Sequence, residues 1–108
     1  MFSKWLNFFA PTVGEPRSGQ WPRVRREHLK HEPACIACGR SDRPAVHHVA
    51  SFKQSPELEL SARNLVTLCE EPCHLVHGHL MSWHRINKDV RRDCAAYFAR
   101  LTDAAKDS

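Results

Sequence analysis

Apolar residues recur along the chain at the spacings that distinguish helices from strands. Spacings of three and four residues predict helices over residues 2–9, 22–31, 73–81 and 87–101. Pro22 suits the first turn of the second helix, and Pro33 lies where that helix has to end. Short runs rich in Val and Leu predict two strands, over residues 45–50 and 65–68. Helices and strands in this order indicate an α+β fold.

The stretch between the first two helices divides the chain. Residues 10–20 contain two prolines and two glycines, a composition typical of a linker. We therefore predict an N-terminal apolar segment with its linker over residues 1–20 and one folded domain over residues 21–108. The apolar stripe of residues 2–9 is expected to dock on this domain, on a protein partner or on a membrane surface. Its single lysine favours the first two.

The positive charge of the chain is concentrated in one segment. The 108 residues carry a formal net charge of +4, and residues 17–43 hold seven Lys or Arg side chains against three acidic ones. A basic segment of this kind indicates a polyanionic partner such as DNA. The residues expected to contact DNA lie on the second predicted helix and are Arg23, Arg25 and Arg26. A solvated helix face is the alternative.

The apolar segments also indicate the cellular compartment in which the protein is expected. None approaches the length of a membrane span, and no secretory signal is visible near the N-terminus. We therefore expect a cytoplasmic protein that needs no membrane and keeps its five cysteines reduced. Reduced cysteines at close spacing are typical of metal sites rather than of disulfides.

Four of the five cysteines form two closely spaced pairs. These thiols belong to Cys35, Cys38, Cys69 and Cys73. The first pair has the Cys-x-x-Cys spacing and the second is one residue wider, and either spacing places two sulfurs on one tetrahedral zinc ion. We therefore predict a structural zinc held by the four thiolates, with His74 or His77 as the alternative to one sulfur. Cys94 lies on the apolar face of the last helix and is expected in the core.

Histidine and asparagine residues lie between and beside the two cysteine pairs. His47 and His48 occupy the first predicted strand, Asn64 opens the second, and His74 directly follows the last zinc cysteine. This order resembles that of the HNH (ββα-metal) endonuclease family, in which two strands and a helix enclose one catalytic metal ion. The resemblance covers residues 17–100 and extends to small, zinc-containing bacterial and phage members of the family.

The resemblance implies a fold and a role for each of these residues. The fold is a ββα-metal core of two short antiparallel strands and a helix around the four-cysteine zinc, flanked by N- and C-terminal helices. His47 corresponds to the first ligand of a catalytic divalent metal, His48 to the general base and Asn64 to the residue that orients the base. The ligand on the helix corresponds to His74 or His77, because the wider cysteine pair shifts the register by one residue.

The catalytic divalent metal is expected to be Mg²⁺, Mn²⁺, Ni²⁺ or Zn²⁺, and its ligands bear on the choice. The family more often has Asp where this chain has His47, and an imidazole in that place favours Zn²⁺, Ni²⁺ or Mn²⁺ over Mg²⁺. Neutral imidazole is both a metal ligand and a base near pH 7. His79 lies two residues off the helix face that carries the other ligands and is the weaker candidate.

Two functions fit these observations. The first is a metal-dependent endonuclease that hydrolyses DNA phosphodiester bonds with His48 as general base, and the resemblance implies 5′-phosphate and 3′-hydroxyl products. The second is a non-catalytic zinc module that binds nucleic acid or a protein through its basic helix. His48 discriminates between them, because a binding module has no use for an imidazole placed against a second metal ion.

Overall fold

The computed structural model describes residues 18–107. The helix and the protein partner predicted for residues 2–9 lie outside the described residues, and so does most of the linker. The domain boundary and the cytoplasmic location remain predictions. Within the described part of the chain, no helix is both long enough and apolar enough to cross a membrane.

Helices flank a two-stranded sheet. The described elements are helix α1 (Trp21–His31), strand β1 (Pro44–His48), strand β2 (Leu65–Cys69), a π-helical turn (His74–Gly78) and helix α2 (Val90–Asp107). Two short 3₁₀ turns, Pro56–Leu58 and Ala62–Asn64, lie between the strands. This arrangement confirms the predicted α+β class and the ββα order. The predicted helix over residues 73–81 is shorter than expected and has π rather than α geometry.

The two strands pair antiparallel and form the centre of a small core. Every residue of β2 is buried, which explains why it is apolar except for Thr67, and Val66 and Leu68 belong to the same core cluster as Val90 and Cys94. The pairing places His48 opposite Leu65. The end of β1 therefore lies beside the start of β2, where Asn64 precedes the strand.

Glu32, directly after α1, joins three elements. Its carboxylate accepts hydrogen bonds from the Thr67 backbone N–H at 2.9 Å and from both terminal nitrogens of Arg91 at 3.0 and 3.1 Å. Its carbonyl accepts the Thr67 hydroxyl at 2.6 Å, and Arg91 also donates to the Leu65 carbonyl at 2.9 Å. A bidentate, charge-assisted pair of this kind fixes orientation as well as distance. It therefore sets α1, β2 and α2 relative to one another.

Helix α2 covers the core with only its first half. It begins at Val90, three residues after the predicted cap Asn87, whose side-chain oxygen accepts the Asp89 N–H at 3.0 Å. Cys94 is fully buried, as predicted, whereas Phe98 and Leu101 are 41% and 40% exposed. The apolar stripe of α2 therefore continues beyond the part of the domain that it can pack against.

Candidate metal centres and active site

The first cysteine pair lies in a tight backbone turn between α1 and β1. The Cys35 N–H donates to the Arg40 carbonyl and the Gly39 N–H donates to the Cys35 carbonyl, both at 2.8 Å. Gly39 has a φ of +83°, in the left-handed region that favours glycine. Glycine at this position lets the chain turn back immediately after the second sulfur.

The four predicted zinc ligands converge in space. The sulfur atoms of Cys35, Cys38, Cys69 and Cys73 all lie within 4.8 Å of one another. The Cys38 and Cys69 sulfurs are 3.8 Å apart, which matches the edge of about 3.8 Å that a tetrahedron with Zn–S bonds of about 2.3 Å requires. All five cysteines are free thiols, and Cys94 is not part of the cluster. The donor set and its spacing fit zinc.

The thiolate form of this cluster needs a cation near neutral pH. Burial raises the pKa of Cys38 and of Cys73. At Cys35 burial acts in the same direction but is outweighed by backbone N–H groups, including that of Cys38, which lower the pKa. A metal ion that binds four thiolates would offset the cost of burying their charge.

A second cluster consists of three histidines from two elements. His47 is the fourth residue of β1, His74 opens the π-helical turn and His79 follows it. The His74 Nε2 lies 3.2 Å from the His47 Nδ1 and 3.2 Å from the His79 Nε2. Three imidazoles around one tetrahedral metal, with M–N bonds of about 2.0–2.1 Å, have nitrogens about 3.3 Å apart. Both distances from the His74 Nε2 are close to that spacing, and the three ligand atoms lie within 4.8 Å of one another.

The nitrogens of this cluster lack enough protons to satisfy one another. The His79 Nδ1 lies 2.7 Å from the Arg85 carbonyl and has to carry the proton, so the Nε2 of His79 presents a lone pair. A single proton on the His74 Nε2 can be donated to the His47 Nδ1 or to the His79 Nε2, but not to both. The His47 Nε2 is buried and has no hydrogen-bond partner among residues 18–107. A divalent cation would satisfy the facing nitrogens, so these residues fit a metal ion.

Burial also keeps two of the rings in the protonation state that a metal requires. Burial, with His74 and His79 nearby, lowers the pKa of His47 to about 3. Burial and the neighbouring His79 lower the pKa of His74 to about 4. Both rings are therefore neutral at pH 7 and can offer lone pairs.

The backbone after β2 explains why these rings meet. A Cβ atom at Gly78 would lie 3.0 Å from the His47 Cε1 and 3.1 Å from the Leu68 Cδ1, so a larger residue there would require these side chains to shift by a few tenths of an ångström. Leu80 and Met81 then adopt φ values of +54° and +72°. Non-glycine residues rarely take this conformation, which costs of the order of 1 kcal/mol or more each and is concentrated at functional sites.

His77 is not part of the histidine cluster. Its ring packs on Tyr97, with centroids 4.8 Å apart, and His79 lies with His47 and His74 instead. His74 and His77 would share a face in an α-helix, but the segment is a π-helical turn, which is wider and brings residues five apart onto the same side. The structure thus favours His79 over His77 in the candidate ligand set. Gly78 and the departure from α geometry are the features that sequence reasoning missed.

His48 lies next to this cluster and shares a cleft with it. Its Nε2 is 2.9 Å from the Glu59 carbonyl and therefore carries a proton, which places the ring's lone pair on Nδ1. The ring lies 4.8 Å from that of Trp21, and the residue is 8% exposed. His47 and His48 both line the cleft.

Asn64 contacts the loop that holds His48 rather than His48 itself. Its side-chain amide donates to the carbonyls of Ala50 and Leu58 at 3.0 and 3.2 Å, and its oxygen accepts the Ala50 N–H at 2.8 Å. Leu58 directly precedes Glu59, whose carbonyl faces the His48 ring. Asn64 is therefore placed to act on His48 through this loop.

The cleft has a volume of about 630 Å³ and opens between two loops. Its lining consists of His47, His48, Ser51, Lys53, Gln54, His79, Trp83, His84, Arg85 and Ile86. No acidic side chain is among these described residues, whereas two basic ones, Lys53 and Arg85, come from separate segments of the chain. The cleft is therefore suited to an anionic ligand.

The three predicted DNA-binding arginines differ in their surroundings. Arg23 and Arg26 are exposed on α1, and Arg23 donates to the Gln20 side chain at 2.9 Å. Arg25 is partly buried and donates to the Pro44 carbonyl at 3.2 Å, so it holds α1 against the start of β1. Arg23 and Arg26 remain the candidates for phosphate contact.

Two strands and a helical turn, with a four-thiol cluster and a three-histidine cluster, define a ββα-metal domain. Residues 35–80 match the model of the HNH endonuclease family. The matched segment contains both clusters together with His48 and Asn64. No curated protein and no solved structure matches the chain.

Proposed function

We propose that this chain is a metal-dependent endonuclease that hydrolyses phosphodiester bonds in DNA. The observation that carries the proposal is the convergence of three histidines on one point, in a basic cleft that also contains His48. The match to the HNH endonuclease family supports a nuclease class. The activity, the DNA substrate and the residue roles are the proposal.

The histidine cluster would hold the catalytic divalent cation. Its residues are His47, His74 and His79. When bound, the cation supplies Lewis-acid stabilisation of the negative charge that develops on the phosphate and on the leaving oxygen. Because all three donors are nitrogens, we expect Zn²⁺, Ni²⁺ or Mn²⁺ to serve better than Mg²⁺.

His48 would act as the general base. The Glu59 carbonyl holds its Nε2 proton, and the lone pair on Nδ1 would take a proton from the water that attacks phosphorus. Asn64 would keep the Glu59 carbonyl in place through its bonds to the same loop. This role depends on the loop geometry and not on direct contact between Asn64 and His48.

The zinc cluster would serve the site structurally. Cys73 and His74 are adjacent in the chain, and Cys69 ends β2. A zinc ion on the thiols would therefore fix the position of the π-helical turn, which begins with the proposed metal ligand His74.

Plasmid nicking tests the proposal. Supercoiled plasmid would be incubated with Mg²⁺, Mn²⁺, Ni²⁺ or Zn²⁺ and with wild type, His48→Ala or the surface control His31→Ala. Positioned general-base catalysis contributes roughly 10²–10⁴-fold, so His48→Ala should nick at least about 100-fold more slowly. The His31→Ala protein should match wild type. Equal nicking by wild type and His48→Ala would eliminate the proposed base.

The non-catalytic module is the competing outcome of the same experiment. It is supported if neither protein nicks plasmid with any metal while both bind DNA with the same salt dependence. In that case substitution of Arg23 and Arg26 should weaken binding and reduce its salt dependence. Nicking that requires His48 would exclude the non-catalytic module.

A further inference from the structure

Trp83 has an unusual position for a tryptophan. It is 59% exposed, although it lies directly against the histidine cluster, with its ring 4.8 Å from that of His79 and 5.2 Å from that of His74. Tryptophan is usually highly buried, and an exposed one at the edge of a cleft is more typical of a binding surface. Its six-membered and five-membered rings offer a flat apolar surface beside the candidate metal site.

A hydrogen-bonded backbone turn contains Trp83. The Ser82 N–H donates to the His79 carbonyl at 3.0 Å, and the Arg85 N–H donates to the Ser82 carbonyl at 2.9 Å. The left-handed residues Leu80 and Met81 come immediately before this turn. The turn that places His79 in the cluster therefore also presents Trp83 at the rim of the cleft.

The rest of the cleft fits a nucleotide strand. Lys53 and Arg85, from separate segments of the cleft lining, can each contact a phosphate, and Ser51 and Gln54 supply neutral hydrogen-bonding groups. The volume of about 630 Å³ lies in the range of small-ligand sites, about 300–1,000 Å³, which is sufficient for one nucleotide of a strand. Basic groups interleaved with an aromatic ring are the usual means of binding a single strand.

We propose that Trp83 stacks on an unpaired base next to the phosphate at the histidine cluster, and that the cleft selects single-stranded or locally unpaired DNA over intact duplex. This inference rests on the proposed nuclease function. Stacking of one base on an aromatic side chain strengthens binding roughly 5- to 100-fold. In a duplex much or all of that gain is offset by the cost of unpairing and unstacking the base, whereas an unpaired base is available at once.

Binding without catalysis separates this inference from the nuclease activity. Zinc-loaded protein without added divalent cation would be titrated into fluorescently labelled oligo-dT and into a duplex of equal length, and anisotropy recorded. Wild type should bind oligo-dT more tightly than duplex, and Trp83→Ala should bind oligo-dT about tenfold more weakly. Trp83→Phe, which keeps a flat ring, should retain most of the affinity. Met81→Ala is the matched control, since Met81 is 67% exposed and outside the cleft lining.

Intrinsic fluorescence identifies the tryptophan involved. The chain contains three tryptophans, and oligo-dT should quench wild type more strongly than Trp83→Phe, whose remaining signal comes from the other two. Equal loss of fluorescence intensity in wild type and Trp83→Phe, tighter binding of duplex than of oligo-dT, or equal oligo-dT affinity of wild type and Trp83→Ala would each overturn the inference. Tighter binding of an RNA strand of equal length would overturn the assignment to DNA. If Trp83→Ala does not fold, the fluorescence of Trp83→Phe and the preference of wild type for oligo-dT over duplex still test the inference.

Discussion

At the scale of single residues, His79 is where the backbone determines the chemistry. Its Nδ1–H donates to the Arg85 carbonyl, so its Nε2 lone pair faces His74 at 3.2 Å. His77, two residues earlier, has its ring on Tyr97. The two histidines differ little in sequence context, and their positions differ because the chain leaves α geometry between them.

The pair provides a matched test of the ligand set. We predict that His79→Ala weakens binding of Ni²⁺ or Mn²⁺ to the histidine cluster by at least the roughly 10–100-fold that loss of an outer-shell partner costs. His77→Phe, which keeps a ring against Tyr97, should leave the affinity unchanged. Isothermal titration of zinc-loaded protein measures both. If His77→Phe weakened metal binding and His79→Ala did not, His77 rather than His79 would be the ligand.

At the scale of elements, the zinc cluster joins a loop to a strand and a helical turn. Cys35 and Cys38 come from the turn before β1, and Cys69 and Cys73 lie at the end of β2 and before the π-helical turn. Few apolar residues are fully buried in the described chain, so little else holds these parts together. Small domains of this kind commonly depend on such a metal for folding.

Substitutions at two buried cysteines distinguish the effect of losing a metal ligand from the effect of losing a buried side chain. Cys35 is 2% exposed and belongs to the cluster, whereas Cys94 is 0% exposed and does not. We predict that Cys35→Ser loses zinc and cooperative unfolding, while Cys94→Ala keeps one zinc per chain and loses only about 1 kcal/mol. Metal analysis and thermal denaturation measure these outcomes. A folded, zinc-free Cys35→Ser protein would contradict the structural role of zinc.

The contact between α1 and the Glu32–Arg91 pair has a pH dependence of its own. The His28 Nε2 lies 3.1 Å from the Glu32 carboxylate, and the His28 side chain is 10% exposed. Burial lowers the pKa of His28 below its usual value, and this effect outweighs the opposing one of Glu32. Below about pH 6.5 the unfolded chain therefore takes up a proton at His28 more readily than the folded protein does.

Stability should consequently fall as the pH drops from about 6.5 towards the lowered pKa of His28. We predict that His28→Gln makes this fall shallower, by at most about 1.4 kcal/mol per pH unit for one proton. Urea denaturation at several values between pH 7.5 and 5.5 measures the slope, with His31→Gln on the same helix as control. If His28→Gln and wild type show equal slopes, His28 is not a source of the acid sensitivity.

At the scale of the whole molecule, sequence reasoning succeeds where chemistry is tied to local spacing. The two cysteine pairs, the adjacent His47 and His48 and the apolar run of β2 predict the ββα core, because each depends on residues close in the chain. The exposed end of α2 was not predictable in this way, since the extent of the core depends on tertiary packing. The same holds for Arg25 and Arg91, whose carbonyl and carboxylate partners lie 19 and 59 residues away.

One small domain contains two distinct candidate metal centres. Cys73 and His74 are neighbours in sequence but belong to different clusters, one of sulfur and one of nitrogen. Loss of zinc should therefore disrupt both centres, whereas loss of the cation on the histidines should leave the fold intact. Metal stoichiometry distinguishes this arrangement from a single structural site.

The most direct measurement is metal content by mass spectrometry after equilibrium dialysis of untagged, zinc-loaded protein against Ni²⁺. We predict one zinc and one nickel per chain for wild type, and one zinc with no nickel for the folded double variant His74→Ala, His79→Ala. A wild-type protein that holds only one metal ion per chain, or a double variant that still holds a second one, would contradict a catalytic cation on the histidine cluster.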